Sequence, residues 1–563
     1  MIFRNWVSLI VIILAGCVLA FLAISPPSAQ SENIAADKFS SGRAMKDVRI
    51  IAQAPHPTGS AENAQVRAYL EARLKSLDMQ VSISPSQLDA RALKRLNKWS
   101  GETKTAQTIY NVIGVLPGRD SSQKSILLMA HHDTVWGSPG AADDTVGIAS
   151  ILEIIRAVKQ RADQKRDIIV LFTDAEELGL QGARAFFKDH ALRDKVGAIL
   201  NFEARGGGGT ANMFQTSTKN EAAVRLYARS VKQPSLSSLS TFVYDILPND
   251  TDLTPALEKD YIAYNIANIG RAKYYHSPEI NAKALDERTL QHMGSQGLDL
   301  TRALIEVDML PSKTSNASFF DLYGIWTVIF APFWGWIFLL IGGVCLGASV
   351  RFKGHSKEII SGAIKMVGFL IIGGAGLYGL NYLSGSGDLA DYYDRLAAIP
   401  KLEITAFFAC LAVFLVLFGH KSLSSHESVG AVLPLLLLGI ICQAFAPSAV
   451  YFLTLSILLY GIIALLRRRG FAHKAGRAAS VILAALVLGY MIGLGHLLML
   501  GVGADMLSVA ILPAALAVLA VLPFYHGLSK RFSRLGATIA LSVSIASAIW
   551  IRVDPIASSV PLY

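Results

Sequence analysis

Residues 124–133 read KSILLMAHHD, an apolar run that ends abruptly on two imidazoles and a carboxylate. Such a run, short and bounded by polar residues, has the signature of a strand covered on both faces. Working outward, TIYNVIGVLPG (108–118), RDIIVLFTDAEE (166–177) and VGAILNFEA (196–204) repeat the pattern. Segments of helical period separate them, DTVGIASILEIIRAVKQ (144–160) and GLQGARAFFKDH (179–190). This alternation predicts an α/β fold, a mostly parallel-to-mixed sheet flanked by helices. The preceding stretch, 32–105, reads as helical first and as an outer layer of the same domain, with GSAENAQVRAYLEARLKSLD (59–78) a helix capped near Ser60.

Sheets of this kind gather ligands beyond the carboxyl ends of their strands, and the polar chemistry falls there. In HHDTV (131–135), His131 and Asp133 share a face of the extended chain, so Asp133 can orient the imidazole, while His132 points away. GAADDTVG (140–147) sets Asp143 and Asp144 where a loop enters a helix; one can cap free N–H groups, which leaves the other for a metal. DAEELGLQG (174–182) brings Glu176 and Glu177 together after a strand, one carboxylate to bind metal and its neighbour to take a proton from bound water. In NFEARGGGG (201–209), Glu203 ends a third strand; the glycines either form a surface loop or let the backbone approach the rim, and Arg205 pairs with a substrate carboxylate or with one of the site's own. KYYHSPE (273–279) adds His276 after a short strand, ANIGRAKYY (267–275). Each segment alone has an ordinary surface explanation. Together, imidazoles and carboxylates on one rim are what a metal centre of borderline donors requires.

The composition changes from Tyr323 onward, where long apolar runs alternate with short polar ones. About eight of these runs, at 325–349, 365–384, 403–419, 428–446, 448–466, 479–500, 504–525 and 534–551, approach the roughly 20 residues a helix needs to cross a bilayer. Trp6–Ile24 adds another, read as an uncleaved anchor because it exceeds the roughly 7–15-residue core of a cleaved signal. The expected organisation is an anchor and short linker (1–31), an exported domain (32–307), a linker (308–322) and a membrane domain (323–563). Charge supports the sidedness: the basic loops at 351–357, 420–422, 467–477 and 529–534 fall on the cytoplasmic side and the acidic loop at 387–394 outside. The reading is a multi-pass protein of a bacterial inner membrane with domain 32–307 in the periplasm, or in the topologically equivalent lumen of a eukaryotic cell. Much of the net charge of +10 sits in the basic loops, and with no recognition motif a nucleic-acid partner is excluded. All four cysteines fall in apolar segments, which excludes disulfides and thiolate chemistry in the exported domain. His496 is the clearest ionisable residue within a span. The oligomeric state stays open.

The succession HxD, GAxDDxxG, EExGLxGAR, NxE and YHSPE, in this order, resembles the zinc aminopeptidase and carboxypeptidase family with co-catalytic metals. With the apolar segments, it looks like the family's membrane-bound branch of endoplasmic reticulum metallopeptidase type, over about residues 40–305. The resemblance implies two Zn2+ ions, one held by His131 and Glu203, the other by Glu177 and His276, with Asp143 bridging both. It implies Glu176 as general base and Asp133 as support for His131. Glu203 departs from the pattern, since the family usually has Asp there. The implied activity is hydrolysis of peptide bonds, with an aminopeptidase favoured. The alternatives are a glutaminyl-cyclase-like zinc enzyme and a non-catalytic membrane scaffold or transporter.

Overall fold

The computed structural model describes residues 2–161, 164–351, 353–386, 392–468 and 474–554. The described residues form two compact units, one from Ser25–Ile329, the other from the N-terminal helix Ile2–Ile24 with residues 330–554.

Seven strands build the sheet of the first unit: β1 (Gln80–Gln87), β2 (Thr108–Leu116), β3 (Ser125–His131), β4 (Ile168–Thr173), β5 (Val196–Arg205), β6 (Ala211–Thr216) and β7 (Ile262–Ile269). Their order is β1-β2-β4-β3-β5-β7-β6. The four central strands β4, β3, β5 and β7 run parallel, and β1, β2 and β6 pair antiparallel at the edges. The apolar runs serve both faces. Ile126, Leu128, Ala130, Ile168, Val170 and Phe172 pack on one side with helices Thr145–Lys159 and Glu287–Glu306. Leu127, Met129, Ile169 and Leu171 pack on the other with Phe186 and Phe187 of helix Gln181–Asp189. A strand buried on both faces reads as continuous hydrophobicity, the pattern of a central parallel strand.

The sequence misplaces three elements. The stretch read as opening helical begins with two helices and then adds β1, whose alternately exposed residues and Pro85 suit an edge strand. Helix Ala61–Ser76 is capped as expected, by the Ser60 side chain on the N–H of Asn63. The strand before His276 ends at Ile269; Gly270 and Arg271, the latter at φ +47°, turn the chain into a short 3-10 segment at Ala272–Tyr274. Residues 326–330, read as the start of a span, form β9 (Trp326–Phe330), paired with β8 (Ser318–Leu322) inside the expected linker.

In the second unit, eight helices among the described residues are long and apolar enough to cross a membrane: Trp6–Ile24, Ser356–Leu383, Ile399–Leu417, Ser425–Phe445, Tyr451–Arg468, Lys474–Gly503, Leu507–Phe524 and Lys530–Val553. The first expected C-terminal span is a shorter apolar helix, Trp334–Ser349. Part of the acidic loop (387–391), Phe352 of the first basic loop and 469–473 of the third lie outside the described residues.

Candidate metal centre

The four parallel strands aim their carboxyl ends at one rim, and the chemistry-bearing residues meet there. His131 is the last residue of β3. Glu176 and Glu177 follow β4, beyond Ala175 at φ +60°. Glu203 lies in β5 near its end, and His276, at φ +52°, follows β7. Left-handed non-glycine residues are uncommon and concentrate where surrounding structure holds a functional geometry.

Asp143 and Asp144 divide the two roles open to them. Asp144 caps helix Thr145–Lys159, accepting the Gly147 N–H at 3.1 Å and the His131 N–H at 3.3 Å. A Cβ on Gly147 would lie 2.5 Å from that carboxylate, so the cap needs glycine there. Asp143 forks: Oδ1 lies 2.9 Å from Nε2 of His131 and Oδ2 lies 3.1 Å from Nε2 of His276. His276 Nε2 also stands 3.3 Å from Glu177 Oε1, a buried oxygen with no hydrogen bond. Glu203 Oε2 lies 4.0 Å from His131 Nε2. Donor atoms of His131, Asp143 and Glu177 fall within 4.8 Å of one another, as do those of His131, Asp144 and Glu203.

The His131 ring is oriented differently from the expectation. Its Nδ1 donates to the backbone carbonyl of Asp133 at 2.9 Å, whereas the Asp133 carboxylate stands 3.6 Å away. That carboxylate shapes the neighbouring turn instead, accepting the Glu176 N–H at 3.0 Å, the Glu177 N–H at 3.3 Å and the Thr58 hydroxyl at 3.3 Å. A neutral imidazole has one N–H, and His131 spends it on the carbonyl. Its Nε2 therefore faces Asp143 with a lone pair, an arrangement that requires a second proton or a cation between the two atoms.

Charge balance makes the same demand. Asp133, Asp143, Asp144, Glu176, Glu177, Glu203 and Asp252 are all buried or nearly so around the two imidazoles. Burial, against the pull of His131, pushes Glu203 up to about 8 and Asp252 up to about 6. It also holds Glu176 well above the usual carboxylate range and raises Glu177. For Asp143 burial is outweighed by its hydrogen bonds to His131 and His276, and its carboxyl lies below the usual range. Burial would lower His131, but Asp133 and Asp143 raise it well above an ordinary imidazole. Buried negative charge in such excess is costly without compensation, and divalent cations held by nitrogen and oxygen donors would provide it.

Three participants escape the sequence reading. Thr58, in HPTGS (56–60), donates to both Asp133 and Asp174. Asp174 also accepts the Tyr110 N–H at 3.0 Å, which ties the turn to β2. Asp252, in NDTD (249–252), receives the Thr173 hydroxyl at the end of β4, and its Oδ1 is buried without a partner. Neither short motif adjoins a recognisable strand end, and their residue types do not set them apart from ordinary loops. The glycine run has a structural use: a Cβ on Gly206 would lie 2.3 Å from the Gly270 carbonyl, so glycine lets the end of β5 cross the turn that leads to His276.

Residues 111–319 match the profile of Peptidase family M28. A vacuolar membrane protease of Eremothecium gossypii is 32% identical over 316 residues, 53% of this chain and 31% of that protein. Endoplasmic reticulum metallopeptidase 1 of Homo sapiens is 29% identical over 314 residues, 53% of this chain and 35% of that protein. The match thus spans about a third of the length of these relatives. Among solved structures, an aminopeptidase from Aneurinibacillus sp. strain AM-1 aligns with a TM-score of 0.39 at 14% identity, covering 50% of this chain and 99% of that one. The resemblance carried by the five motifs is borne out: residues 111–319 match Peptidase family M28.

Proposed function

We propose that the chain is a zinc-dependent exopeptidase that removes residues from the amino end of peptides. The observation that carries this reading is the forked carboxylate of Asp143, each oxygen facing a different imidazole across about 3 Å. In this reading His131, Asp143 and Glu203 would hold one ion and Asp143, Glu177 and His276 the other. When bound, two such ions supply Lewis-acid polarisation of a carbonyl and lower the pKa of water. Glu176 takes the proton of the attacking water on its carboxylate and returns it to the departing amine. The Asp133 carboxylate holds the Glu176 and Glu177 amides and so fixes the base beside its neighbour. The basic loops support placing this domain outside the cytoplasm, and we further propose the periplasm of a bacterial cell as its compartment.

The test is digestion of an unbiased peptide library by the detergent-solubilised full chain, read by mass spectrometry beside Glu176→Gln. Chelator-sensitive trimming from the amino end, absent with acetylated peptides and lost in E176Q, is the expected result. Trimming from the carboxyl end would overturn the aminopeptidase assignment. Conversion of amino-terminal glutamine without cleavage would replace the peptidase by a cyclising enzyme.

A further inference from the structure

A chain of side-chain amides runs through the sheet from the candidate centre to the edge strand β6. Asn201 of β5, Asn265 of β7 and Gln215 of β6 lie at one level, paired directly in the strand register. Gln215 reaches that level because β6 carries an extra residue, Phe214, between the pairs Met213–Ile266 and Gln215–Asn265. A bulge of this kind re-aims the side chains beside it. All three amides are buried, and a buried amide is costly unless it is hydrogen-bonded. These bond to one another. Asn201 Nδ2 donates to Asn265 Oδ1 at 3.0 Å, and Asn265 Nδ2 donates to Gln215 Oε1 at 3.0 Å and to the Thr251 hydroxyl oxygen at 2.9 Å.

A carboxylate stands at each end of the chain. At the edge, Gln215 Nε2 donates to Oδ1 of Asp245, on helix Ser238–Ile246, at 3.3 Å. At the centre, Asn201 Nδ2 donates its second N–H to Glu203 Oε1 at 3.3 Å. A carboxylate accepts only, so Asp245 fixes the direction of every bond that follows. Gln215 gives its NH2 to Asp245 and its oxygen to Asn265, and Asn265 in turn gives its oxygen to Asn201. Asn201 must then present N–H groups on both sides, and its own oxygen is left over, buried without a hydrogen bond. The result falls on Glu203, whose long side chain could otherwise take several rotamers. With Oε1 held by Asn201, Oε2 is the oxygen that faces His131 Nε2, 4.0 Å away.

We propose that Asn201 is a positioning residue for metal binding, one that holds Glu203 by Oε1 and so keeps Oε2 free for the ion shared with His131. Asn265, Gln215 and Asp245 act one step further out, by setting the orientation of the Asn201 amide. Outer hydrogen bonds to a ligating carboxylate are a recognised means of fixing a metal site. The inference rests on the two-ion reading above and concerns the ion of His131, Asp143 and Glu203.

Zn2+ is the probe. Its affinity for the full chain in detergent is measured by chelator competition in the wild type, Asn201→Ala, Glu203→Asp and the double variant. Asn201→Ala is expected to weaken one of the two ions about 10–100-fold, the usual effect of losing an outer support. Aspartate at 203 is one methylene shorter and draws away from the Asn201 amide, so in that background Asn201→Ala should change affinity by less than about twofold. A general loosening of the sheet would instead weaken binding by the same factor in both backgrounds. Asn265→Leu touches neither Glu203 nor the ion but frees the Asn201 amide to turn. It should weaken the same ion by about threefold or more, and it decides the matter if Asn201→Ala does not fold. Equal affinity in the wild type and these folded variants, or equal factors in both backgrounds, overturns the role of Asn201 and leaves the two-ion reading standing. A wild type that binds no Zn2+ overturns both.

Discussion

Replacing Asp133 by Asn tests how the centre is organised. The side chains are nearly the same size, so the change isolates charge and acceptor count. Asp133 uses both oxygens: Oδ1 takes the Glu176 amide at 3.0 Å, and Oδ2 takes the Glu177 amide and the Thr58 hydroxyl at 3.3 Å each. Asparagine offers one accepting oxygen, so its NH2 must face either the Glu176 amide or the Glu177 amide. A lost hydrogen bond to a charged group costs about 1.5–3 kcal/mol, and the buried donor left unpaired adds about 1–3 kcal/mol. The total is roughly 3–5 kcal/mol, a fall in melting temperature on the order of 10 °C at about 2–4 °C per kcal/mol. His131 is held by the Asp133 carbonyl, which the substitution keeps. Turnover should therefore fall about 10–100-fold, the usual cost of losing an outer support, while most of the metal stays bound. Metal content and peptide turnover of the full chain, measured on the same preparation, decide the matter. Loss of metal in proportion to turnover would mean that the carboxylate acts through His131, and unchanged melting and turnover would refute its role in the turn altogether.

Other outcomes follow from the same structure. Glu203→Asp draws back a carboxylate that already stands 4.0 Å from His131 Nε2, and should weaken metal binding tenfold or more, about 1.4 kcal/mol, by competition with a chelator. His292 accepts the Ala211 N–H on Nδ1 at 3.1 Å and donates from Nε2 to the Gln233 carbonyl at 3.0 Å, and burial lowers its pKa to about 4 from 6.5. The unfolded chain then binds the extra proton first, so stability is complete above pH 6.5 and falls by about 3 kcal/mol as pH drops towards 4; His292→Gln should remove that part of the pH slope in denaturation measurements. In Gly294→Ala the new methyl would lie 2.0 Å from the Phe39 ring, and despite the helix propensity of alanine a loss of about 1–3 kcal/mol is expected in denaturant titration.

The central strands were legible because burial on both faces leaves continuous apolar runs, and 124–130 has few other ways to fold. The edge strands were not. β1 carries serines, glutamines and a proline, and β6 follows a run of glycines, so neither shows the pattern that two-sided burial imposes. The residues of the candidate centre were legible as a set because each strand end stops on a polar side chain. What each carboxylate does was less so: Asp133 and His131 meet through a backbone carbonyl, a contact that residue types do not encode. Thr58 and Asp252 were invisible for a related reason. They reach the centre through folding of distant loops, and hydroxyls and lone aspartates are common in any loop.

The donors around Asp143 run from residue 131 to residue 276, and β7, which leads to the last of them, inserts between β5 and β6. A growing chain that has completed β3, β4 and β5 therefore carries His131, Asp143, Glu177 and Glu203 with only half of the fork engaged. Contacts so distant along the sequence are paid for in loop entropy and form slowly. Tight uptake of metal would then mark the docking of β7, and a nascent chain halted before Ile262 should bind it weakly.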